Sequence, residues 1–275
     1  MSSKSNSENK IRIVNVNYLN SIPYKELSHL EGIQYSETNP AECARMLHED
    51  EADLALIPIA EYFSHGGYTA LDFGIAAHNV VNSVFFFHNS TLEEIDTIYA
   101  DDNSQTSILL LKVILNLISP KKKLKIFKTD IQEFKQDLKP NEGLLAIGDK
   151  TFSLNSRFHS RLDLSEKWHE LTNLPFLFAV WAYRKENISA SSIAKINKAI
   201  ETGLAKKNEL AKIWAEDNKV SLDFVLKYIN EQIIYPLDDK IKAGAERFRE
   251  LASELNIFSS DTNISPKELN VDDIL

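Results

Sequence analysis

The stretch Ile11-Arg-Ile-Val-Asn-Val-Asn-Tyr-Leu-Asn-Ser-Ile-Pro23 decides the fold. Ile11, Ile13 and Val16, set among short β-favouring residues, predict a buried strand; Asn20 stands where a helix N-cap belongs and Pro23 falls in the first helical turn. A strand running straight into a helix puts Tyr18 and Asn20 at the strand's carboxyl end. In open α/β sheets ligands bind there, because the following helix turns unpaired N–H groups toward them. A plain βα turn capped by Asn20 is the other reading of the same residues.

Outward from that junction, strand-like and helix-like segments alternate. Residues 33–36 read as a second strand, and Asn39-Pro40-Ala41-Glu42 as a capping-box start of a helix to His48. Residues 53–58 form a third buried strand, closed by Pro58, which withholds a ladder donor and opens a turn at 59–62. Residues 80–88 are an apolar strand. A second series follows, with strands at 97–100, 124–127 and 144–148 and helices at 104–118, 130–138 and 165–172. Residues 175–183 are a long apolar strand. Beyond it, Ile193, Ile196, Ile200 and Leu204, then Ile241, Ala245, Phe248, Ala252 and Leu255, keep the single apolar face of amphipathic helices. The class is α/β. Two series joined by apolar strands, with helices returning at the end, predict one lobe at 10–88 plus 184–258, an inserted lobe at 89–183, a cleft between them, and tails at 1–9 and 259–275.

Composition narrows the function. The chain has 275 residues, 43% of them hydrophobic, which suffices for a substantial core. Its longest apolar run, 108–118, is broken by Lys112 and Asn116 and is too short for a membrane span, so no membrane partner is expected. The polar start, residues 1–10, has no apolar signal core and points to the cytoplasm. A net charge of −9 argues against nucleic acid, and the basic run 121–123 reads as a solvated turn. Cys43 is the single cysteine and shares an apolar helix pattern with Ala44 and Leu47, so it packs rather than reacts. No Cys/His spacing suggests a zinc site, and no metal is expected. Eight glycines supply neither a dinucleotide-binding nor a P-loop motif.

Three hydroxyls at the start of the 104–118 helix, Ser104, Thr106 and Ser107, together with first-turn amides, form a candidate cradle for a carboxylate or phosphate. Capping by Asn103 or Ser104 is the simpler alternative. Asp149, after the 144–148 strand, is placed to orient a hydroxyl or to bind Lys150 across the turn. His78 and His88 flank the 80–88 strand as candidate bases, though neither has a carboxylate at a telling spacing.

Taken in order, Tyr18-Leu19-Asn20 with Pro23, Asp53-Leu-Ala-Leu-Ile-Pro58, Ser83-Val84, Ser104-Gln-Thr-Ser107, Leu145-Ala-Ile-Gly-Asp149 and Leu171-Thr-Asn-Leu-Pro-Phe-Leu-Phe-Ala-Val-Trp181 resemble the MqnA family over about residues 11–250. Members are chorismate dehydratases of the futalosine route to menaquinone. The resemblance implies a two-lobed type II periplasmic-binding-protein fold with its ligand cleft between the lobes. It also implies loss of water from chorismate, a small dicarboxylate, to give 3-[(1-carboxyvinyl)oxy]benzoate with no cofactor. Asn20 and Ser83 then take catalytic roles, and Tyr18, Pro58, Ser104, Thr106, Ser107 and Asp149 bind substrate. No side chain stands out as the base, which leaves the substrate's second carboxylate as the proton acceptor. The rival readings are a non-catalytic small-anion solute-binding protein and an MqnD-like 1,4-dihydroxy-6-naphthoate synthase. Two motifs depart from the family pattern: Asn79-Val-Val-Asn-Ser-Val84 replaces Gly-Pro-Val-x-Ser-Val, and Thr172-Asn-Leu-Pro175 replaces Thr-Gly-Leu-Pro. If the missing glycines serve positive φ, Asn79 and Asn173 are suited to replace them.

Overall fold

A computed structural model describes residues 10–101, 105–120, 123–154, 158 and 160–255. In chain order the strands are β1 (Ile11–Val16), β2 (Ile33–Thr38), β3 (Leu54–Pro58), β4 (Thr69–Ala77), β5 (Val84–His88), β6 (Thr97–Asp101), β7 (Lys125–Thr129), β8 (Glu142–Ile147), β9 (Ser160–Asp163), β10 (Phe176–Tyr183) and β11 (Ile234–Pro236). The helices are α1 (Pro40–His48), α2 (Ile59–Ser64), α3 (Gln105–Ile118), α4 (Leu164–Thr172), α5 (Ala190–Ala205), α6 (Lys207–Asn218), α7 (Leu222–Lys227) and α8 (Asp239–Glu254). Leu19–His29 and Gly148–Ser153 are 3-10 helices, and Tyr228–Gln232 is a π-helical turn.

Two mixed sheets carry the fold, one in the order β11-β4-β10-β3-β1-β2 and the other β7-β6-β8-β5-β9. Their parallel pairs, β1 with β2 and β3, and β6 with β7 and β8, are the βα units read from the sequence. The chain passes from the first sheet to the second through residues 78–83 and returns through α4. Those crossings lie before the 88/89 and 183/184 boundaries expected from sequence: β5 pairs with β8 and β9, and β10 pairs with β3 and β4. Both strands are central in their sheets, so apolar sequence reports burial but not which sheet provides the neighbours. One apolar core runs continuously through both sheets, and no helix among the described residues is long and apolar enough to cross a membrane.

Several expectations change locally. Asn20 is not an N-cap. The helix after β1 begins with Ser21 N–H donating to Tyr18 O at 3.0 Å, the i to i−3 bond of a 3-10 turn, and Tyr18 is the extended cap residue with no side-chain bond. The Ser21 hydroxyl donates back to the Val16 and Tyr18 carbonyls, and Pro23 offers no N–H to a wider turn. No helix forms over 130–138, although Ile131, Phe134 and Leu138 have helical spacing. The Asp130 carboxylate accepts Gln132 N–H at 2.8 Å in an Asx turn, and the three apolar residues pack as an irregular segment on Phe85, Phe87, Leu144 and Ala146. The 80–88 strand begins only at Val84, because Asn82 adopts φ +55. Left-handed backbone therefore falls at Asn82 rather than Asn79, whereas Asn173 does adopt it (φ +57) as the C-cap of α4. The sequence reading passed over β4, whose interior Gly74 weakens the strand pattern. A Cβ at Gly74 would collide with the Ala179 carbonyl of β10.

Candidate active site

The carboxyl ends of five strands converge on one cleft between the sheets. Val16 ends β1, and Tyr18 and Asn20 follow it; Pro40 follows β2; Pro58 ends β3; Thr106 and Ser107 follow β6; Ile147 ends β8 and Gly148 follows it. Ile75 of β4, the crossing residues Val81 and Ser83, Val84 of β5, and Phe178 and Ala179 of β10 complete the wall of the cleft. A bulge in β10, where Leu177 pairs with Ala76 but Ala179 with Ile75, sets Phe178 out of register, and Phe178 lines the cleft. Gly148 holds φ +69 against the ring of Tyr18, which a Cβ would approach to 3.3 Å.

Of the residues named from sequence, Tyr18, Asn20, Pro58, Ser83, Thr106 and Ser107 all line this cleft. Ser104 lies outside the described residues. Asp149 stands behind the lining: its Oδ2 accepts Leu19 N–H at 3.2 Å and so fixes the Tyr18-Leu19-Asn20 turn. Lys150 pairs with Asp101 at 3.5 Å rather than with Asp149. His78 is exposed beyond β4, and His88 Nδ1 meets Ser90 O at 2.6 Å; neither lines the cleft.

Tyr228, absent from the sequence reading, organises the polar centre. Its hydroxyl donates to Ser83 Oγ at 2.8 Å, with the Asn20 side chain close by. With that acceptor site filled, the Ser83 hydroxyl hydrogen is free to point into the cleft. The Asn20 Oδ1 is buried without a protein partner, an acceptor awaiting a donor. Tyr228 begins the π-helical turn, where one extra residue re-aims a side chain. In sequence Val225, Tyr228 and Ile229 look like any buried helix face, which hides its role.

The cleft's electrostatics are unusual for an anion site, since no lysine or arginine is among the described lining residues. Positive potential comes from helix starts. The 14-residue α3 opens with Thr106 and Ser107, and α1 opens at Pro40, capped by Asn39 on Glu42 N–H at 2.9 Å. The Thr106 hydroxyl accepts Ala60 N–H at 3.2 Å, tying α3 to α2 across the two sheets.

Burial pushes the Asp149 carboxyl up to about 6, with its single N–H bond only partly opposing. Its folded pKa thus exceeds the ordinary value near 4, so the native state holds the proton more tightly, and stability falls as pH rises from about 4 to above 6. Asp149→Asn keeps an oxygen for Leu19 N–H and removes that titration. The variant is expected to gain on the order of 1–2 kcal/mol over the wild type at pH 7.5, with the difference closing toward pH 4 in chemical denaturation.

Residues 11–254 match the family described as Menaquinone biosynthesis. A curated chorismate dehydratase from Thermus thermophilus is 28% identical over 254 residues, spanning 85% of this chain and 92% of that protein. One from Campylobacter jejuni is 27% identical over 226 residues, spanning 82% and 86%. Among solved structures, the Candida albicans CA3427 gene product, described as having the generic periplasmic binding protein fold, superposes with a TM-score of 0.63 at 11% identity, covering 90% of this chain and 93% of that one. That likeness concerns the fold alone. The family match spans every element around the cleft, from β1 through α8, and the chain belongs to the menaquinone biosynthesis family.

Proposed function

We propose that this protein is a cytoplasmic chorismate dehydratase, a lyase that removes water from chorismate to give 3-[(1-carboxyvinyl)oxy]benzoate. The observation that carries the reading is the cleft itself, where neutral hydroxyls and a helix start stand beside the Tyr228–Ser83 hydrogen bond and the unpartnered, buried Asn20 Oδ1. The curated relatives named chorismate dehydratase support the same substrate.

Chemically, the ring C–H next to the enolpyruvyl ether is joined through a double bond to the ring carboxylate. Breaking that bond sends its electron pair toward the carboxylate, and the pair returns to expel the ring hydroxyl as the ring becomes aromatic. Donors that strengthen as the carboxylate gains charge stabilise the transition state. The first turn of α3, with Thr106 and Ser107, and the Ser83 hydroxyl take this role. The Asn20 oxygen accepts from the departing hydroxyl and holds it in line. The proton goes to the substrate's own enolpyruvyl carboxylate, which the cleft holds close, and then to the leaving hydroxyl as water forms.

Tyr228→Phe is expected to lower kcat about tenfold with little change in KM, one hydrogen bond's worth of misaligned Ser83 and Asn20. Steady-state kinetics would check this, and an unchanged kcat would remove Tyr228 from the chain of positioning groups. The function is tested by incubating purified protein with chorismate and following products by mass spectrometry and proton NMR. The expected product has lost one water and keeps its vinyl protons on an aromatic ring. Chorismate bound but unchanged would instead indicate a solute-binding protein, and cleavage of a cyclic futalosine derivative would indicate the dihydroxynaphthoate synthase.

A further inference from the structure

His48 ends α1, Glu61 lies in α2, and His65 follows α2 directly; none of them lines the cleft. One ligand atom from each can be chosen so that all lie within 4.8 Å of one another. His48 Nε2 is 3.1 Å and His65 Nδ1 3.5 Å from Glu61 Oε2; the two imidazoles stack with centroids 3.7 Å apart, so a shared ion requires the half-exposed His65 ring to turn out of the stack and bring its in-plane lone pair toward Glu61. We propose that these three side chains form a binding site for a zinc-class divalent cation.

The spacing carries the proposal. Zinc bonds to imidazole nitrogen and carboxylate oxygen are about 2.0–2.2 Å long, so two ligands at a tetrahedral angle stand about 3.3 Å apart. The two nitrogen-to-oxygen distances bracket that value. Two imidazoles and one carboxylate with no thiolate suit zinc and its borderline neighbours rather than calcium or magnesium, which prefer oxygen. Glu61 and His48 are largely buried, whereas His65 is half exposed, which leaves one side open for water as a fourth ligand.

The surroundings orient the ligands. His48 Nδ1 lies 2.7 Å from the Tyr68 hydroxyl, so a metal on Nε2 leaves Nδ1–H to donate there. Tyr68 is in turn fixed by Arg184, whose Nη2 is 3.3 Å from the hydroxyl and whose guanidinium lies 4.7 Å over the ring. Ser64 Oγ also sits 3.3 Å from His65 Nδ1, a contact the cation displaces; that hydroxyl keeps the Ala60 and Glu61 carbonyls at 2.9 and 3.3 Å. Twelve residues separate His48 from Glu61, and packing of α1 and α2 beside β3, not a local motif, brings them together. A cation here fastens α2, whose start carries Pro58 into the cleft and meets Thr106. It takes no part in the elimination of water.

Full-length protein stripped with a chelator and titrated with zinc chloride against a chromophoric competitor is expected to bind one equivalent, and its thermal midpoint is expected to rise. His65→Ala, at a half-exposed position, and Glu61→Gln are each expected to weaken binding by more than about tenfold, because loss of a ligand costs at least as much as loss of a second-layer partner. Cobalt(II) is expected to give a four-coordinate visible band in the wild type alone. Absence of saturable zinc binding, or wild-type affinity in both variants, would overturn the site. The readout is independent of chorismate turnover, so it stands or fails separately from the proposed function.

Discussion

Ser83→Ala is expected to lower kcat for chorismate dehydration by about 10²–10³-fold, the usual cost of removing one preorganised donor from a developing negative charge. Ser83 is fixed from three sides. Its hydroxyl accepts from Tyr228 at 2.8 Å, its carbonyl accepts Gly148 N–H at 2.8 Å, and it directly precedes β5 in the crossing between the sheets. An alanine preserves that backbone and removes only the hydroxyl aimed at substrate. Asn20→Ala is expected to cost a similar factor, because its oxygen is the open acceptor for the leaving group. Binding of chorismate should survive in both, since the start of α3 is untouched, so the loss appears in kcat more than in KM. Near-normal turnover in both variants would remove these residues from the reaction.

Asp163→Ala should have the largest effect on stability, a loss of about 3 kcal/mol in chemical denaturation. Its Oδ2 accepts N–H from Val81 and Asn82 at 3.1 and 2.7 Å, and its Oδ1 accepts N–H from Ser165 and Glu166 at 3.0 and 3.2 Å. One carboxylate thus caps α4 on the returning crossing and staples the outgoing crossing beside Ser83. Removing it strands four donors, those of Val81 and Ser165 fully buried, so the cost exceeds that of an ordinary cap. Asn82, held at φ +55, is expected to relax with it, and kcat should fall as Ser83 loses its position. A loss of stability below about 1 kcal/mol would show that the two crossings are held by other contacts.

Much of this arrangement was legible in the sequence because it is local. β1, β3, α1, α3 and β8 each announce themselves by a short apolar run or a cap, and the strand-to-helix junctions point to Tyr18, Asn20, Thr106 and Ser107, while Pro58 as a site residue follows from the family resemblance. Long-range information was not legible. Apolar runs at 84–88 and 176–183 gave burial but not sheet membership, which pairing alone decides. Ile131, Phe134 and Leu138 kept helical spacing while an Asx turn at Asp130 took the backbone elsewhere. Tyr228 looked like core because its hydroxyl meets Ser83 from 145 residues away. Glu61 and His65 are an i,i+4 pair, but His48 joins them only through the packing of α1 and α2, which sequence spacing does not show.

The central claim is that helix starts and neutral side chains, rather than lysine or arginine, hold the dicarboxylate between the two sheets. A crystal structure of the Asn20→Ala protein with chorismate tests it most directly. The ring carboxylate is expected within hydrogen-bond distance of the Thr106 and Ser107 amides and hydroxyls, with the Ser83 hydroxyl beside it and the ring hydroxyl facing position 20. Chorismate lying outside this cleft, or with its ring carboxylate paired to a lysine or arginine, would contradict the account.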